Sequence, residues 1–522
     1  MNILFIGVPD VADPFSDEWF PDLRYAISFL RKKGAEAGLR YSSMYASEAR
    51  MLVKIAELSP GLAFFKINGE NQARAIGLAG RIKAANRRIK IVLGGIAATA
   101  SYKAILSNNP SIDYVIVGEW ELTLLEMVEK MRAGRKLTKV PGLVTREREN
   151  QARPLIENID IFSDMALDGV DKLLHGKSGM ERAGYLIGSR GCYGNCSFCS
   201  VPPFYRVSRG RAWRGRSSAK IVDEIEKMVN AYGIKYFVFL DDNFIGPGRS
   251  GKARARKFAE EIIRRKIKIR YFVCSRVNDI DYDVLKVMKR SGLDVIGIGI
   301  ESTSQRALDL FHKNIQVENI YRLLDQLEKR KIKTEVNMVF FDPYMTLAEV
   351  RQNLKFIKYI NKTKYISYSQ AFPFNELKVY PWTPLREKLR LDKLLDEKRL
   401  LFHYKDPRVK QIINLLRYFR RHPAINFKNR LLFKNLNKLI YIKNNRGLVL
   451  FLSKITDQLR RRLTFELLPV LIEEACDVLE ANEINQRDKM NKIRIRAQKE
   501  AKKIGVMGDK IYSALLRSKA DS

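Results

Sequence analysis

Cys192, Cys196 and Cys199 stand together in the run Arg190-Gly191-Cys192-Tyr193-Gly194-Asn195-Cys196-Ser197-Phe198-Cys199. Thiolates at this C-x3-C-x2-C spacing wrap one corner of a [4Fe–4S] cube and satisfy three of its four irons. The remaining iron is left for a ligand from outside the chain, unlike the four-cysteine sites of electron carriers. A structural zinc site wants four ligands, and no histidine or further cysteine lies near this run. Buried core cysteines seldom cluster in a glycine-bearing loop straight after an apolar strand. The chain must therefore bring a strand end and this loop to a cluster.

At 522 residues the chain is too long for one core, and several domains are expected. It has five cysteines, and Cys274 and Cys476 stand apart from the run. That argues against a disulfide framework and for a reducing cytoplasm. Met1 runs directly into the apolar stretch Asn2–Val8, so no secretory signal is expected, and no apolar run reaches bilayer length. The net charge of +37 fits an acidic partner, but a host with Lys-rich coding habits produces the same balance, so charge alone assigns nothing.

Strands alternate with helices over residues 1–150: Asn2–Val8, Leu62–Ile67, Ile91–Leu93 and Tyr114–Val117 as strands, Leu23–Lys33 (ended by Gly34) and Ala73–Asn86 as helices. The pattern implies an α/β fold, here a doubly wound, Rossmann-like parallel sheet with its ligand crevice at the strand C-termini. Residues 151–180 read as a linker. From 181 to 385 the alternation resumes. Its strands are Tyr185–Gly188, Tyr236–Leu240, Arg270–Cys274, Val295–Gly299, Glu335–Phe341 and Tyr365–Phe372. Its helices are Ser217–Tyr232, Lys252–Arg265, Tyr282–Arg290, Val317–Arg330 and Leu347–Tyr359. This predicts a partial (β/α)6, TIM-like barrel with its chemistry at the strand C-termini. Residues 386–522 are basic and helical in pattern, with amphipathic runs at Leu431–Ile442, Leu448–Arg462 and Leu467–Ala481 and a frayed tail from Arg487. Helices like these cap a barrel, touch a membrane surface peripherally or dock a partner.

The cysteine run, with an aromatic residue before its last cysteine, resembles the hallmark of radical S-adenosylmethionine (SAM) enzymes. The resemblance implies that the open iron chelates the amino and carboxylate groups of SAM, and that reduction yields a 5′-deoxyadenosyl radical. It assigns Cys192, Cys196 and Cys199 as cluster ligands and Phe198 to the adenine end of the site. Asp241 and Asp242, with Asn243 behind them, match the element that accepts from the SAM amine. Arg276 is placed for the SAM carboxylate, where a guanidinium offers a bidentate fork. Glu301 matches the glutamate that accepts from a ribose hydroxyl. Strand-end aspartates are also ordinary helix caps. The arginines of Tyr205–Arg216 grip a phosphate, carboxylate or cofactor, or simply balance cluster charge. Cys274 reads either as a hydrogen donor or as core.

Residues 1–150 resemble the cobalamin-binding domain fused to many radical SAM enzymes, through Pro21-Asp22-Leu23-Arg24-Tyr25-Ala26, Ile91-Val92-Leu93-Gly94-Gly95 and Asp113-Tyr114-Val115-Ile116-Val117-Gly118-Glu119-Trp120-Glu121. Gly94, Gly95, Gly118 and Glu119 are the cofactor contacts this implies. Trp120 replaces a glycine of that pattern, as Trp382 does in Tyr380-Pro381-Trp382-Thr383-Pro384. No histidine precedes His175, so any cobalamin is expected without a protein imidazole ligand. The activity implied is C-methylation of an unactivated carbon in a small-molecule, peptide or lipid-precursor substrate, with an external electron donor such as flavodoxin or ferredoxin. The alternative is a cobalamin-independent rearrangement, cyclisation, dehydrogenation or aminocarboxypropyl transfer. A third reading, a nucleic-acid or membrane binder carrying a structural cluster, rests only on the basic C-terminal region; nucleic acid is not the expected partner.

Overall fold

The stretch Asn2–Gly7 is apolar on both faces, which suits the middle of a parallel sheet covered by helices on either side. In the computed structural model it forms β1 in that position. The structure describes residues 2–9, 19–41, 47–162, 164–171, 183–368, 374–397, 401–421, 466–481, 485–500 and 503. β2 (Glu36–Tyr41), β3 (Leu62–Lys66), β4 (Lys90–Gly94), β5 (Tyr114–Ile116) and β6 (Leu143–Val144) complete a sheet of order β2-β1-β3-β4-β5-β6. All neighbours run parallel except β5 and β6. Period-two alternation sorts the side chains. Leu4, Ile6, Phe65, Ile91 and Leu93 pack with Met51, Ile55, Leu78, Ile82 and Ile105 of the helices Glu48–Leu58, Gln72–Ala85 and Ile96–Asn108. Phe5 and Phe64 instead meet Trp120, with the Phe64 and Trp120 ring centroids 4.6 Å apart.

The expected elements are present with ends shifted by a few residues, and Pro21 starts the first helix, Pro21–Lys32. The sequence reading lacked β2 and the Glu48–Leu58 helix. β2 is an edge strand with a half-buried, mixed sequence, so it carries no apolar run to read.

Packing divides the chain into two compact units, with one boundary between Asp294 and Val295. The first joins Met1–Leu174, Arg182–Asp294 and Tyr380–Glu387; the second holds His175–Glu181, Val295–Val379 and Lys388–Ser522. In the first, β7 (Ala183–Leu186) leads to β8 (Ser189–Arg190), which pairs antiparallel with β9 (Arg214–Gly215). β10 (Tyr236–Phe239) lies parallel between β7 and β11 (Arg270–Arg276). In the second, β12 (Leu293–Glu301), β13 (Thr334–Met338) and β14 (Ile366–Tyr368) are parallel neighbours in that order. Thr346 and Glu349 close a capping box on the helix Leu347–Asn361 between β13 and β14. The fold is thus α/β with parallel sheets, and the strand–helix order expected from 182 to 385 is the order observed.

The C-terminal run Leu467–Ala481 forms the helix Leu468–Glu480. Leu431–Ile442 and Leu448–Arg462 lie outside the described residues, as do residues 369–373 at the end of the last expected strand. Of the tail expected to fray from Arg487, residues 487–500 are helical, and 501–502 and 504–522 lie outside the described residues. Ile493 and Ala497, one turn apart, are buried, and Arg496 pairs with Glu474. Among the described residues no helix is long and apolar enough to cross a membrane.

Candidate active site

The cysteine loop begins where β8 ends. Gly191 has φ +76, and a Cβ there would stand 2.0 Å from the carbonyl oxygen of Ala212, so only glycine passes. Cys192 and Cys196 are buried, and Cys199 is partly so. The Cys199 amide donates to the Cys196 carbonyl at 3.2 Å and the Gly194 amide points at Cys192 Sγ at 3.4 Å. The Arg276 guanidinium lies over this loop, with Nη1 3.4 Å from Cys196 Sγ and 4.0 Å from Cys192 Sγ. Gly194 leaves it room, since a Cβ would come within 2.0 Å of Nη1. Burial pushes the Cys192 thiol up and the Cys199 thiol up to about 12. A bound metal reverses that preference, because a coordinating thiol is deprotonated outright. Among the described residues no preformed group of histidine, cysteine and carboxylate ligands closes on one point. The donor chemistry nonetheless fits an iron–sulfur cluster: soft thiols on a loop whose glycines keep backbone clear. Cys192, Cys196 and Cys199 would hold it.

The strand-end acids divide by role. Asp241 accepts from the Gly188 amide at 2.9 Å and from the Ser189 hydroxyl, so it anchors the chain entering the loop. Asn243 donates to Asp279 at 2.7 Å and accepts from the Ser275 hydroxyl at 3.0 Å, stitching the ends of β10 and β11. Asp279 also accepts from the Tyr193 hydroxyl at 2.7 Å, inside the cysteine loop. Both side chains, expected as cofactor contacts, are buried and engaged by protein here. Asp242 differs. It lines a cavity, is open to solvent there and takes a backbone hydrogen bond from Gly191; desolvation by the cavity wall, then Asp241 beside it, raises its carboxyl.

Burial likewise pushes Asp241 from 3.8 up to about 6, against its hydrogen bonds from Ser189 and Gly188. A carboxyl raised on folding adds stability that is full below the unfolded value and is lost as pH rises through the folded one. Between pH 4 and 6 the urea midpoint of the wild type is expected to fall relative to Asp241→Asn, which lacks the group. An unchanged gap between the two proteins across that window would refute the assignment.

Two buried ionic networks tie the N-terminal sheet to the cysteine loop. Arg190, two residues before Cys192, donates to Glu121 Oε1 at 2.5 Å and Glu119 Oε1 at 3.2 Å. Glu119 Oε2 accepts from Arg214 at 2.8 Å and from the Ile156 amide at 2.9 Å. Burial pushes the Glu119 carboxyl up, but Arg190 and Arg214 beside it outweigh this and hold it below its ordinary value. In the second network the Arg216 Nη1 donates to Tyr25 Oη and Glu224 Oε2, at 2.9 and 2.8 Å, and to the Ile187 carbonyl at 2.9 Å. Arg214 and Arg216 are therefore internal struts through Nη1, while Nε and Nη2 of each are buried without a hydrogen-bond partner among the described residues.

The residues expected as cofactor contacts on the N-terminal sheet also meet protein neighbours. Glu119 has both oxygens engaged. A Cβ on Gly94 would strike Phe64 and meet Trp120, so Gly94 makes room for ring packing. A Cβ on Gly118, at φ +82, would stand 2.9 Å from the Ser208 hydroxyl oxygen. Gly95, at φ +99, does line the cavity. Phe198 is half-buried beside Cys199. Cys274 is half-buried in β11. Trp382 takes φ +55, the conformation glycine adopts without cost, and it is not among the cavity residues. Glu301 ends β12 in the second unit, also left-handed, at φ +66.

The cavity, about 160 Å³, lies wholly within the first unit. Lys66, Gly95, Trp120 and Glu121 line it from the ends of β3, β4 and β5; Arg190, Tyr205, Leu240 and Asp242 line it from the barrel side. Glu121 Oε2 is buried and lacks a hydrogen-bond partner among the described residues. Such an oxygen wants an N–H or O–H donor. The amide periphery of a corrinoid supplies N–H donors, so this wall fits that group, and Glu121, Gly95 and Trp120 would border it.

Sequence reasoning missed Arg190, Glu121, Glu224, Tyr25 and Asp279. Arg190 stood in the quoted run and Glu121 in the quoted strand end, but nothing local marks them as partners.

Residues 186–357 match the radical SAM superfamily. The chain is 31% identical over 314 residues to an uncharacterized methyltransferase of Pyrococcus horikoshii, covering 59% of this chain and 65% of that protein. It is 27% identical over 369 residues to the anaerobic magnesium-protoporphyrin IX monomethyl ester cyclase of Cereibacter sphaeroides, covering 65% and 56%. The chain thus spans less than two thirds of the length of these curated relatives. The cobalamin-dependent SAM radical enzyme OxsB, solved with aqua-cobalamin and SAM bound, has the same fold: TM-score 0.75 over 100% of this chain and 80% of that one, at 17% identity. The methyltransferase TsrM from Kitasatospora setae follows at TM-score 0.59, over 75% and 76%, at 18% identity. With the superfamily come a [4Fe–4S] cluster and SAM. The chain thus carries a radical SAM domain over residues 186–357, on a fold shared with cobalamin-dependent radical SAM enzymes.

Proposed function

We propose that this protein is a cobalamin-dependent radical SAM enzyme that transfers a methyl group to an unactivated carbon of a biosynthetic substrate. One observation carries the reading: a single cavity is lined both by the strand ends of the N-terminal sheet and by residues flanking the cysteine loop. When bound, the cluster and SAM supply radical chemistry and the corrinoid a transferable methyl group. The chain's own part is to hold and exclude. Cys192, Cys196 and Cys199 bind the cluster. Arg276 places a cation beside two of those thiols, where a SAM carboxylate would also find a partner. Asp242 offers an acceptor in the cavity wall, and the buried Trp120 and Phe204 exclude water from the apolar part of that wall. The substrate, a small molecule, peptide or lipid precursor, and a flavodoxin- or ferredoxin-type electron donor complete the proposal. Peripheral membrane contact through the basic C-terminal region and a cytoplasmic site of action belong to it as well.

The test is anaerobic. The reconstituted protein is incubated with hydroxocobalamin, methyl-labelled SAM and a low-potential reductant such as dithionite, desalted, and its corrinoid compared with iron and protein. Near-stoichiometric corrinoid with label transferred to it is expected. SAM cleavage without retained corrinoid would refute the methyl-transfer reading. The likeness to the magnesium-protoporphyrin ester cyclases supports a second reading, radical cyclisation; it predicts 5′-deoxyadenosine formation with no label in the product.

A further inference from the structure

No acidic residue stands between Arg190 and Asp223, and five arginines follow the last cysteine of the run within that stretch. Two of them, Arg214 and Arg216, turn inward to Glu119 and Glu224. The other three, Arg206, Arg209 and Arg211, are exposed. Arg206 donates to the Asn195 side-chain oxygen at 2.6 Å and to the Gly194 carbonyl at 3.2 Å, so its charge meets no carboxylate. The Arg209 side chain has no partner among the described residues. Only Arg211 is paired, with the half-exposed Glu157 at 2.8 Å. The loop that carries them is fixed in place. The Arg209 carbonyl accepts from the Leu155 amide at 2.8 Å, and Glu157 accepts from the Arg211 amide at 3.1 Å. A Cβ on Gly210, at φ +128, would stand 2.9 Å from Leu155 Cβ, so the loop lies flat on that segment. Tyr193 and Val207, 36% and 39% exposed, add apolar surface next to these arginines.

Exposed cations beside an exposed aromatic ring suit an anionic partner. Their position says which. Arg206 rests on the Gly194 carbonyl, and the Gly194 amide points at Cys192 Sγ at 3.4 Å. One residue therefore separates this surface from a cluster ligand. We propose that Arg206, Arg209 and Arg211 form the docking surface for an acidic one-electron carrier protein, which reaches the cluster from the Gly194 side of the cysteine loop. The proposal rests on the radical SAM reading, in which each reductive cleavage of SAM takes one electron. The step moves one electron from the carrier's reduced cofactor to the oxidised cluster; no covalent bond forms or breaks. A carrier must leave after each delivery, and a small charged patch allows that. Redox encounters of this kind bury less than about 1,200 Å², and charges at the rim set how fast they form. A nucleic acid would answer the same charge, but gains nothing from standing beside a cluster thiol.

The test measures docking and cluster reduction separately, on the anaerobically reconstituted full chain with a flavodoxin and a ferredoxin as probes. In stopped-flow and equilibrium titrations the wild type is expected to bind at least one of them and to lose affinity as salt rises. Arg209→Glu, at a side chain that holds nothing in the fold, is expected to slow association by about tenfold or more and to change dissociation far less. Arg88→Glu makes the same charge change at an exposed position just before β4, at the other end of that strand from the cavity. It is expected to associate as the wild type does. Dithionite should reduce the cluster equally in every variant, read by EPR, which separates docking from cluster loss. No slowing in Arg209→Glu, equal slowing in Arg88→Glu, or no binding of either carrier would overturn the docking surface. A single-stranded oligonucleotide that binds more tightly than the carriers, and is lost in Arg209→Glu, would overturn it in favour of a nucleic acid. A wild type that holds no reducible cluster, or cleaves no SAM under dithionite, would instead overturn the radical SAM reading itself.

Discussion

Cys196→Ala is expected to abolish cluster retention and to lower 5′-deoxyadenosine formation by more than about 100-fold, since even outer-shell changes at metal sites cost 10–100-fold. Each thiol of the run satisfies one iron, and nothing nearby replaces it: no other cysteine or histidine lies in the loop. Cys196 is also the thiol nearest the Arg276 guanidinium, at 3.4 Å, so its loss leaves that cation facing a smaller, apolar wall. Iron and acid-labile sulfide per chain, the EPR spectrum of the reduced protein and chromatography of the nucleoside product check the result. Cys274→Ala and Cys476→Ala are the controls, because both thiols lie outside the loop and both variants should keep their iron. A Cys196→Ala protein with wild-type iron content would remove the cysteine run from the site.

Glu224→Ala is expected to destabilise the first unit by about 3–5 kcal/mol, the penalty for removing one partner of a buried ion pair. Its Oε2 lies 2.8 Å from both Arg216 Nη1 and the Tyr25 hydroxyl, and its Oε1 accepts from the Met165 amide at 2.9 Å. Burial first, and Glu224 second, push the Tyr25 hydroxyl well above its ordinary value, so it stays a donor. Removing the carboxylate strands a guanidinium, a phenol and an amide together. Because Arg216 also holds the Ile187 carbonyl, at the entrance to the cysteine loop, iron retention should fall along with the urea midpoint. The triple variant Tyr25→Phe, Arg216→Met, Glu224→Leu should recover much of the stability, since apolar replacement of a whole buried network is often close to neutral. A Glu224→Ala midpoint within about 0.5 kcal/mol of wild type, the range of ordinary surface changes, would show that the network does not hold the unit together.

The glycines of the N-terminal sheet show where a local reading misleads. Gly94 and Gly118 sit at strand ends, where glycine suggests a cofactor lying on backbone, yet their missing Cβ atoms make room for Phe64, Trp120 and Ser208. A glycine carries no information about its neighbour, so the sequence alone does not say what approaches. Glu119 is ambiguous for the mirror reason. A carboxylate at a strand end fits a cofactor hydroxyl or an arginine equally well, and Arg190 and Arg214 take it.

Taken alone, the sequence determined the thiol donor set and the order of strands and helices. Both are local matters: cysteines a few residues apart on one loop, and apolar periods of two and 3.6 that show inside a single element. Tertiary structure alone decided which strand-end acids remain open to a ligand. Arg190 finds Glu121 across 69 residues and Tyr25 finds Glu224 across 199. A charge buried by folding must be paired, and its partner is whichever group the fold brings within reach, however far away in the chain.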